Sequence, residues 1–225
     1  MTARDTLFTS IRSALGVNGQ EAPRRKIVAD RISGHPAGVV PQRGNLAPKE
    51  RLALFTKMLE GAAGTVTAVA SVDDVPGAVG AFLRRYNLPL SVRRGADERL
   101  ATVPWTNEPA LEMSSGISDG AQLTSVSHAF GGVAETGTLV MTASPDNPTT
   151  LNFLPDNHIV VLDAKDIDGD FETAIGKLRE KYGEGALPRV VNMITGPSRS
   201  ADIEQTLILG AHGPRRLHVI LVGEP

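Results

Sequence analysis

A glycine-rich stretch at 129–142 carries the acid with the strongest case for chemistry. It reads A-F-G-G-V-A-E-T-G-T-L-V-M-T and places Glu135, Thr136 and Thr138 around Gly137, directly before an apolar run. Glycine allows backbone turns that a Cβ forbids. A partly buried glutamate in such a bend predicts a catalytic nucleophile or general base, with Thr136, Gly137 and Thr138 contacting the ligand. In the alternative interpretation these residues only form a turn.

A second stretch, 195–200, reads T-G-P-S-R-S and precedes a predicted helix at 201–209. The first N–H groups of a helix are unsatisfied and attract anions, and an arginine fork binds carboxylate or phosphate. The predicted anion-binding residues are Gly196, Ser198, Arg199 and Ser200. The alternative is a plain turn in which Ser198 or Ser200 caps the helix.

The five histidines show no spacing typical of a metal site, and we predict no metal. His128 and His158 lie near the ends of predicted strands, where a hydrogen-bonding role is common. His128 and His212 are nevertheless candidate ligand contacts. One argument counts against a ligand contact by His212. This residue follows the predicted helix 201–209, which would separate it from Ser198 by roughly 15 Å.

The elements that must position these residues follow an α/β pattern. Apolar periodicity predicts helices at 3–15, 48–59, 75–86, 170–181 and 201–209. Short apolar runs predict strands at 65–70, 89–92, 123–127, 138–142, 158–162, 189–194 and 217–222. The alternation favours a mostly parallel sheet, with 123–127 and 138–142 as an antiparallel pair or a tight bend. Residues 17–47 are predicted to be an irregular arm, which gives an N-terminal helix and arm at 1–47 and a domain at 48–225.

Composition excludes several classes of function. The chain has 225 residues and no cysteine, so it cannot form disulfides, thiolate zinc sites or cysteine-ligated iron–sulfur clusters. A net charge of −2 gives no reason to expect nucleic acid or an anionic membrane as partner. No apolar run approaches the roughly 20 residues of a membrane span, and no secretory signal is predicted. We therefore expect a cytoplasmic protein.

Four motifs together resemble the LUD domain family, and within it the lactate-utilisation protein C group. The motifs are Ala134-Glu-Thr-Gly-Thr138, Pro155-Asp-Asn-His158, Ile194-Thr-Gly-Pro-Ser-Arg-Ser-Ala-Asp-Ile-Glu204 and His212-Gly-Pro214. The resemblance covers roughly 48–225, and the family's short N-terminal helix and variable linker match 1–47. It implies a three-layer α/β/α fold similar to the NagB/RpiA/CoA-transferase group. It also implies a role in L-lactate oxidation to pyruvate beside two partner proteins that hold the iron–sulfur clusters, with no cofactor in this chain.

Three hypotheses remain open at this stage. The first is a subunit of a lactate-oxidising system that binds a small anionic ligand or docks its iron–sulfur partners. The second is a free-standing CoA-transferase-like or cyclo-ligase-like enzyme that uses Glu135, an analogy based on fold alone. The third is a structural interaction module in which both turns serve only folding. The arm at 1–47 is a candidate contact between copies of the chain.

Overall fold

The structure is a computed structural model that describes residues 2–183, 185–201 and 207–224, and it divides into two compact units, Met1–Val39 and Val40–Pro225. The helices are α1 (Ala3–Ala14), α2 (Ala22–Gly34), α3 (Pro48–Gly61), α4 (Val75–Arg85), α5 (Glu98–Ala101), α6 (Thr150–Phe153) and α7 (Phe171–Tyr182). The strands are β1 (Thr65–Val69), β2 (Ser91–Arg94), β3 (Glu112–Ser115), β4 (Thr124–His128), β5 (Gly131–Val133), β6 (Thr138–Thr142), β7 (Asn157–Asp163), β8 (Ile167–Asp168), β9 (Val191–Ile194), β10 (Arg199–Ala201), β11 (Leu207–Leu209) and β12 (Arg216–Val222). Among these helices none is long and apolar enough to cross a membrane.

The N-terminal unit contains two helices, where the sequence predicted one. The prediction of an irregular segment at 17–47 was wrong, because α2 occupies much of it. Pro23 suggested a break, but it lies in the first turn of α2, where a missing N–H costs nothing. The helix ends at Gly34, and His35 follows it with a left-handed φ of 40°.

The second unit is built on a parallel sheet in the order β1-β12-β7-β4-β2-β3. Its strands β7 and β12 read as apolar, β-branched runs because both of their faces are covered. On one face α4 packs Val79 and Leu83 against Ile159 of β7 and Ile220 of β12. The predicted α/β fold with a mostly parallel central sheet is therefore confirmed.

The other face of this sheet is covered by α3 and by a second sheet, in the order β8-β5-β6-β9. Leu59 of α3 and Leu139 of β6 meet Val160 of β7 in one buried cluster. Leu178 of α7 packs against Val140 of β6 from outside. The second sheet was not predicted, since apolar patterning identifies a strand but not the sheet that it joins.

Two predicted strand relationships were wrong for this reason. Strand β4 lies in the parallel sheet and does not pair with β6. Strand β6 instead pairs antiparallel with β5 and with β9. Strand β9, predicted at 189–194 as part of the mostly parallel sheet, instead lies in the second sheet and pairs antiparallel with β6.

The predicted helix at 201–209 is also wrong. Arg199–Ala201 and Leu207–Leu209 are strands that pair antiparallel, and residues 202–206 lie outside the described part of the chain. Cross-strand pairing has overridden the helical spacing of the apolar residues. The predicted anion site at a helix N-terminus therefore loses its helix.

Candidate functional site

A cavity of about 300 Å³ lies at the amino ends of β7 and β12, and we call it the hairpin cavity because the β10–β11 hairpin and its flanking loops form one wall. It is lined by Asn152, Phe153, His158, Met193, Ile194, Thr195, Gly196, Pro197, Ser198, Arg199, His212, Gly213, Pro214 and Leu217. Three of the four motifs that carry the family resemblance contribute to this lining. The carboxyl-edge location expected of a ligand site in an open α/β sheet does not apply to it.

Ser198 connects the segments of the cavity wall through three hydrogen bonds. Its N–H donates to the Pro214 carbonyl at 2.9 Å, and its carbonyl accepts from the Gly210 N–H at 3.0 Å. Its hydroxyl oxygen lies 3.4 Å from the His212 N–H, which donates to it. His212 therefore lies beside Ser198. The predicted separation of roughly 15 Å between them was wrong, because a hairpin reverses the chain where the helix was expected.

Gly196 allows the loop before the hairpin to approach the end of α3. Its φ is 81°, and a Cβ at this position would collide with the Ala62 carbonyl oxygen. Glycine is required for both reasons, since the left-handed region is costly for other residues. The close approach fixes the position of the loop that carries Ser198 and Arg199.

The hairpin cavity is electrostatically simple. Arg199 is the one lysine, arginine or carboxylate among the described residues that line it, and its side chain is exposed. The Ser198 hydroxyl and the His212 side chain add polar groups to the same wall. A guanidinium can bind a small anion in a cavity of this size whose described lining includes no carboxylate.

A buried polar chain reaches the cavity wall through Asn152 and His158. The Ser127 hydroxyl donates to Asn152 Oδ1 at 3.2 Å, so it accepts from His158 Nε2, which lies 3.1 Å away. This leaves His158 Nδ1 as a buried acceptor without a hydrogen-bond partner in the described structure. Burial lowers the pKa of His158 to about 3 and keeps the imidazole neutral at pH 7.

Glu135 does not line the hairpin cavity. It lies in the turn between β5 and β6 with 3% exposure, and its Oε1 accepts the first N–H of α7, from Phe171, at 3.3 Å. Its Oε2 lies 3.7 Å from Arg43 Nε. These contacts are those of a carboxylate at a helix N-terminus, where its charge complements the helix dipole.

The rest of the glycine-rich turn connects to the cavity indirectly. The Thr138 hydroxyl bonds with the Thr136 hydroxyl at 2.7 Å and also with Thr195, which lines the cavity. Gly137 has a φ of 67° and lies against the backbone of α3 at Leu59. The described cavity lining includes none of Thr136, Gly137, Thr138 and Ser200. Ser200 lies in β10 opposite Ile208.

His128 belongs to a different cluster, at the carboxyl ends of β4 and β7. Its Nδ1 lies 2.8 Å from the Ala129 carbonyl, and its Nε2 lies 3.7 Å from Asp163. Burial lowers the pKa of His128, and the nearby charge of Arg99 lowers it further, against the raising effect of the Ala129 carbonyl and Asp163.

Sequence reasoning missed the partners of this cluster. Asp97 binds Arg99 through both carboxylate oxygens, at 3.0 and 2.7 Å, and also accepts from Asn147 Nδ2. Burial opposes ionisation of Asp97, but hydrogen bonds from Arg99 and Asn147 outweigh it and lower its pKa to about 2. The one available signal was the position of Asp97 and Arg99 just after a predicted strand. Within the described ranges no group of three or more His, Asp or Glu residues is placed to hold a metal ion.

The fold and the cavity define an α/β protein with a small polar site at the amino edge of its parallel sheet. Residues 120–222 match the LUD domain model, so this part of the chain is similar to LUD domains. An uncharacterized protein of Neisseria meningitidis serogroup B is 35% identical over 150 residues, which cover 64% of each chain.

Two further relatives bear the name lactate utilization protein C. The one from Geobacillus thermodenitrificans is 36% identical over 107 residues, covering 46% of this chain and 45% of that protein. The one from Bacillus subtilis is 37% identical over 93 residues, covering 41% and 39%. The matched region thus spans less than half the length of these two relatives. A crystal structure of a DUF162 family protein from Deinococcus radiodurans has the same fold, with a TM-score of 0.58 at 21% identity, covering 79% of this chain and 99% of that one.

Proposed function

We propose that the chain is the subunit without an iron–sulfur cluster in an L-lactate utilisation system, and that its hairpin cavity binds a small carboxylate such as lactate or pyruvate. One observation carries the proposal: Arg199 is the single charged group among the described residues that line the cavity. Residues from three of the four motifs contribute to the same lining. The name lactate utilization protein C of several relatives gives the metabolic context.

In this proposal the carboxylate of the ligand pairs with the Arg199 guanidinium, while the Ser198 hydroxyl and the His212 side chain are available for its remaining polar atoms. Neutral His158 is part of the cavity lining and adds no competing positive charge. The cavity of about 300 Å³ is at the small end of ligand sites, which suits a ligand of a few heavy atoms.

Electron transfer requires other proteins in this scheme. The chain has no cysteine, so it cannot supply the thiolates of an iron–sulfur cluster. We assign that chemistry to iron–sulfur partner proteins, with this chain binding the small anion, docking the partners, or both.

A genetic experiment with matched variants tests the role. Deleting the gene in its own organism should abolish growth on L-lactate but not on pyruvate, and the wild-type gene should restore it. Arg199→Gln should fail to restore growth. Lys49→Gln, which removes one exposed positive charge from α3, should restore it fully. Growth of the deletion strain on L-lactate would refute the metabolic role.

A binding measurement tests the cavity separately. L-Lactate or pyruvate should raise the melting temperature of the purified wild-type chain and of the Lys49→Gln variant, but not that of the Arg199→Gln variant. If neither ligand shifts the melting temperature of the wild-type chain although growth on L-lactate needs the gene, the proposed ligand site is refuted and the docking role is retained.

The second candidate, a free-standing CoA-transferase-like or cyclo-ligase-like enzyme that uses Glu135, gains no support from the contacts of that residue. Glu135 is bonded to the first turn of α7 and is not among the residues that line a cavity with Arg199. The purely structural module remains the outcome expected if neither the genetic nor the binding experiment responds.

A further inference from the structure

A second cavity, of about 360 Å³, lies at the amino ends of β1 and β12, and we call it the arginine cavity. It is lined by Ala63, Thr65, Tyr86, Leu209, Arg215, Arg216 and Leu217. Of these described residues, only Leu217 also lines the hairpin cavity. The chain at 209–217 runs between the two cavities, with His212, Gly213 and Pro214 lining one and Leu209, Arg215 and Arg216 the other.

The arginine cavity is strongly basic. Its described lining contains two guanidinium groups and no carboxylate. Arg216 donates to the neutral Asn157 Oδ1 at 3.1 Å, and its guanidinium lies 4.8 Å from the centre of the Tyr86 ring. Arg215 has a carboxylate nearby, but Asp156 is 3.9 Å away and both side chains are about half exposed, so screening makes this pair weak.

A third arginine and a buried histidine extend the same region. Arg85 lies 5.6 Å from the Tyr86 ring centre. A smaller cavity of about 120 Å³ adjoins through the shared residues Thr65 and Tyr86, and it is lined by both Arg85 and His218. The His218 ring has 5% exposure, its Nδ1 lies 2.8 Å from the Thr65 hydroxyl, and its Nε2 is buried without a partner in the described structure.

The behaviour of His218 agrees with this charge distribution. Burial lowers its pKa to about 4, and the positive charge of Arg85 contributes in the same direction. The imidazole is therefore neutral at pH 7, and the described residues that line the two adjoining cavities include no carboxylate to balance the three guanidinium groups.

We propose that the arginine cavity binds a phosphate-bearing small molecule. Two adjacent guanidinium forks suit the several oxygens and double charge of a phosphate, whereas the single guanidinium of the hairpin cavity suits a monocarboxylate. The Thr65 hydroxyl lies on the same wall as a further hydrogen-bond donor. The volume of about 360 Å³ exceeds that of a phosphate group, so the ligand carries a phosphate on a larger body. This site is independent of the proposed function in lactate utilisation.

Calorimetric titration of the full chain with inorganic pyrophosphate tests the proposal. We expect the wild type to bind, and Arg215→Gln and Arg216→Gln each to weaken binding by about tenfold or more, since each removes a charge-assisted contact. Arg216→Lys should weaken it less than Arg216→Gln, because the charge remains while the fork is lost. Lys49→Gln is the control because it also removes one positive charge, but at the N-terminus of α3, whereas the cavity residue Ala63 follows the C-terminus of that helix.

Three results would overturn the proposal. The first is that the wild type does not bind pyrophosphate at millimolar concentration. The second is that Lys49→Gln weakens binding as much as the Arg215 and Arg216 substitutions do. The third is that Arg199→Gln abolishes binding while Arg215→Gln leaves it unchanged. The last would place pyrophosphate in the hairpin cavity. Should Arg216→Gln fail to fold, Arg215→Gln decides, because the Arg215 side chain is 61% exposed. Failure of lactate to bind leaves this test unaffected.

Discussion

Replacing Gly137 by alanine should destabilise the chain far more than an ordinary glycine-to-alanine change. Gly137 has a φ of 67°, and the added Cβ would collide with the α3 backbone at Met58 and Leu59. The left-handed conformation costs alanine about 1–2 kcal/mol. Overpacking against a backbone that cannot rotate away adds about 1–3 kcal/mol. We therefore expect a loss of about 2–5 kcal/mol in the free energy of unfolding.

This loss is a large part of the total stability of a domain, about 5–15 kcal/mol. At about 2–4 °C per kcal/mol for a chain of this size, the melting temperature should fall by roughly 4–20 °C. Urea denaturation gives the free energy directly, and calorimetry gives the temperature. An unchanged slope of free energy against urea would show that the native state remains compact.

Gly176 provides the matched control. It lies within α7 with a helical φ, and a Cβ there would meet no atom within 4 Å. Gly176→Ala should stabilise the chain by about 0.5–1 kcal/mol, because alanine favours the helix. The two substitutions are chemically identical and should act with opposite signs. A Gly137→Ala protein within about 0.5 kcal/mol of wild type would refute the reasoning about this turn.

Three further predictions concern charged and buried groups. Glu135→Gln keeps an acceptor for α7 and loses a long contact with exposed Arg43 and the favourable interaction of its charge with the helix dipole, so stability should fall by less than about 1 kcal/mol and growth on L-lactate should persist; a folded variant that cannot support growth would instead indicate catalysis by Glu135. Asp97→Asn should cost about 2 kcal/mol at pH 7 by urea denaturation. The pKa of Asp97 is depressed to about 2, so this difference should hold above pH 4 and disappear as the pH falls towards 2. The pKa values of His158 and His218 are also depressed, to about 3 and about 4, so the unfolded chain binds more protons below pH 6.5 and stability should fall from there to about pH 4. Each histidine contributes at most about 1.4 kcal/mol per pH unit to the slope of the free energy of unfolding against pH. His218→Gln should therefore remove about half of the slope that the two histidines produce together.

The parallel sheet was predictable because its strands are buried on both faces. Such strands read as continuous apolar runs, as at 158–162 and 217–222, and the helices between them keep a clear apolar stripe. The second sheet was not predictable, since the same apolar run at 138–142 fits either sheet. The hairpin was missed because Ile203, Leu207 and Ile208 satisfy the helical period equally well.

The candidate site was predictable in its members but not in its geometry. Ser198, Arg199 and His212 were identified from their residue types, and the structure brings them to one cavity. Their proximity depends on a chain reversal that local sequence did not reveal. The cluster of Asp97 and Arg99 was missed because no periodic element marks residues 93–120, so its place at the carboxyl edge became apparent only from the strand order.

Helix α3 explains why the glycine-rich turn and the cavity belong to one structural unit although Glu135 does not line that cavity. Gly137 lies against Leu59 of α3, and Gly196 lies against Ala62 directly after the helix. Both turns therefore rest on the last turn of α3. The Thr138–Thr195 hydrogen bond joins them a second time across β6 and β9. The glycine-rich turn and the loop that carries Arg199 are therefore held by the same two elements, α3 and the end of β9.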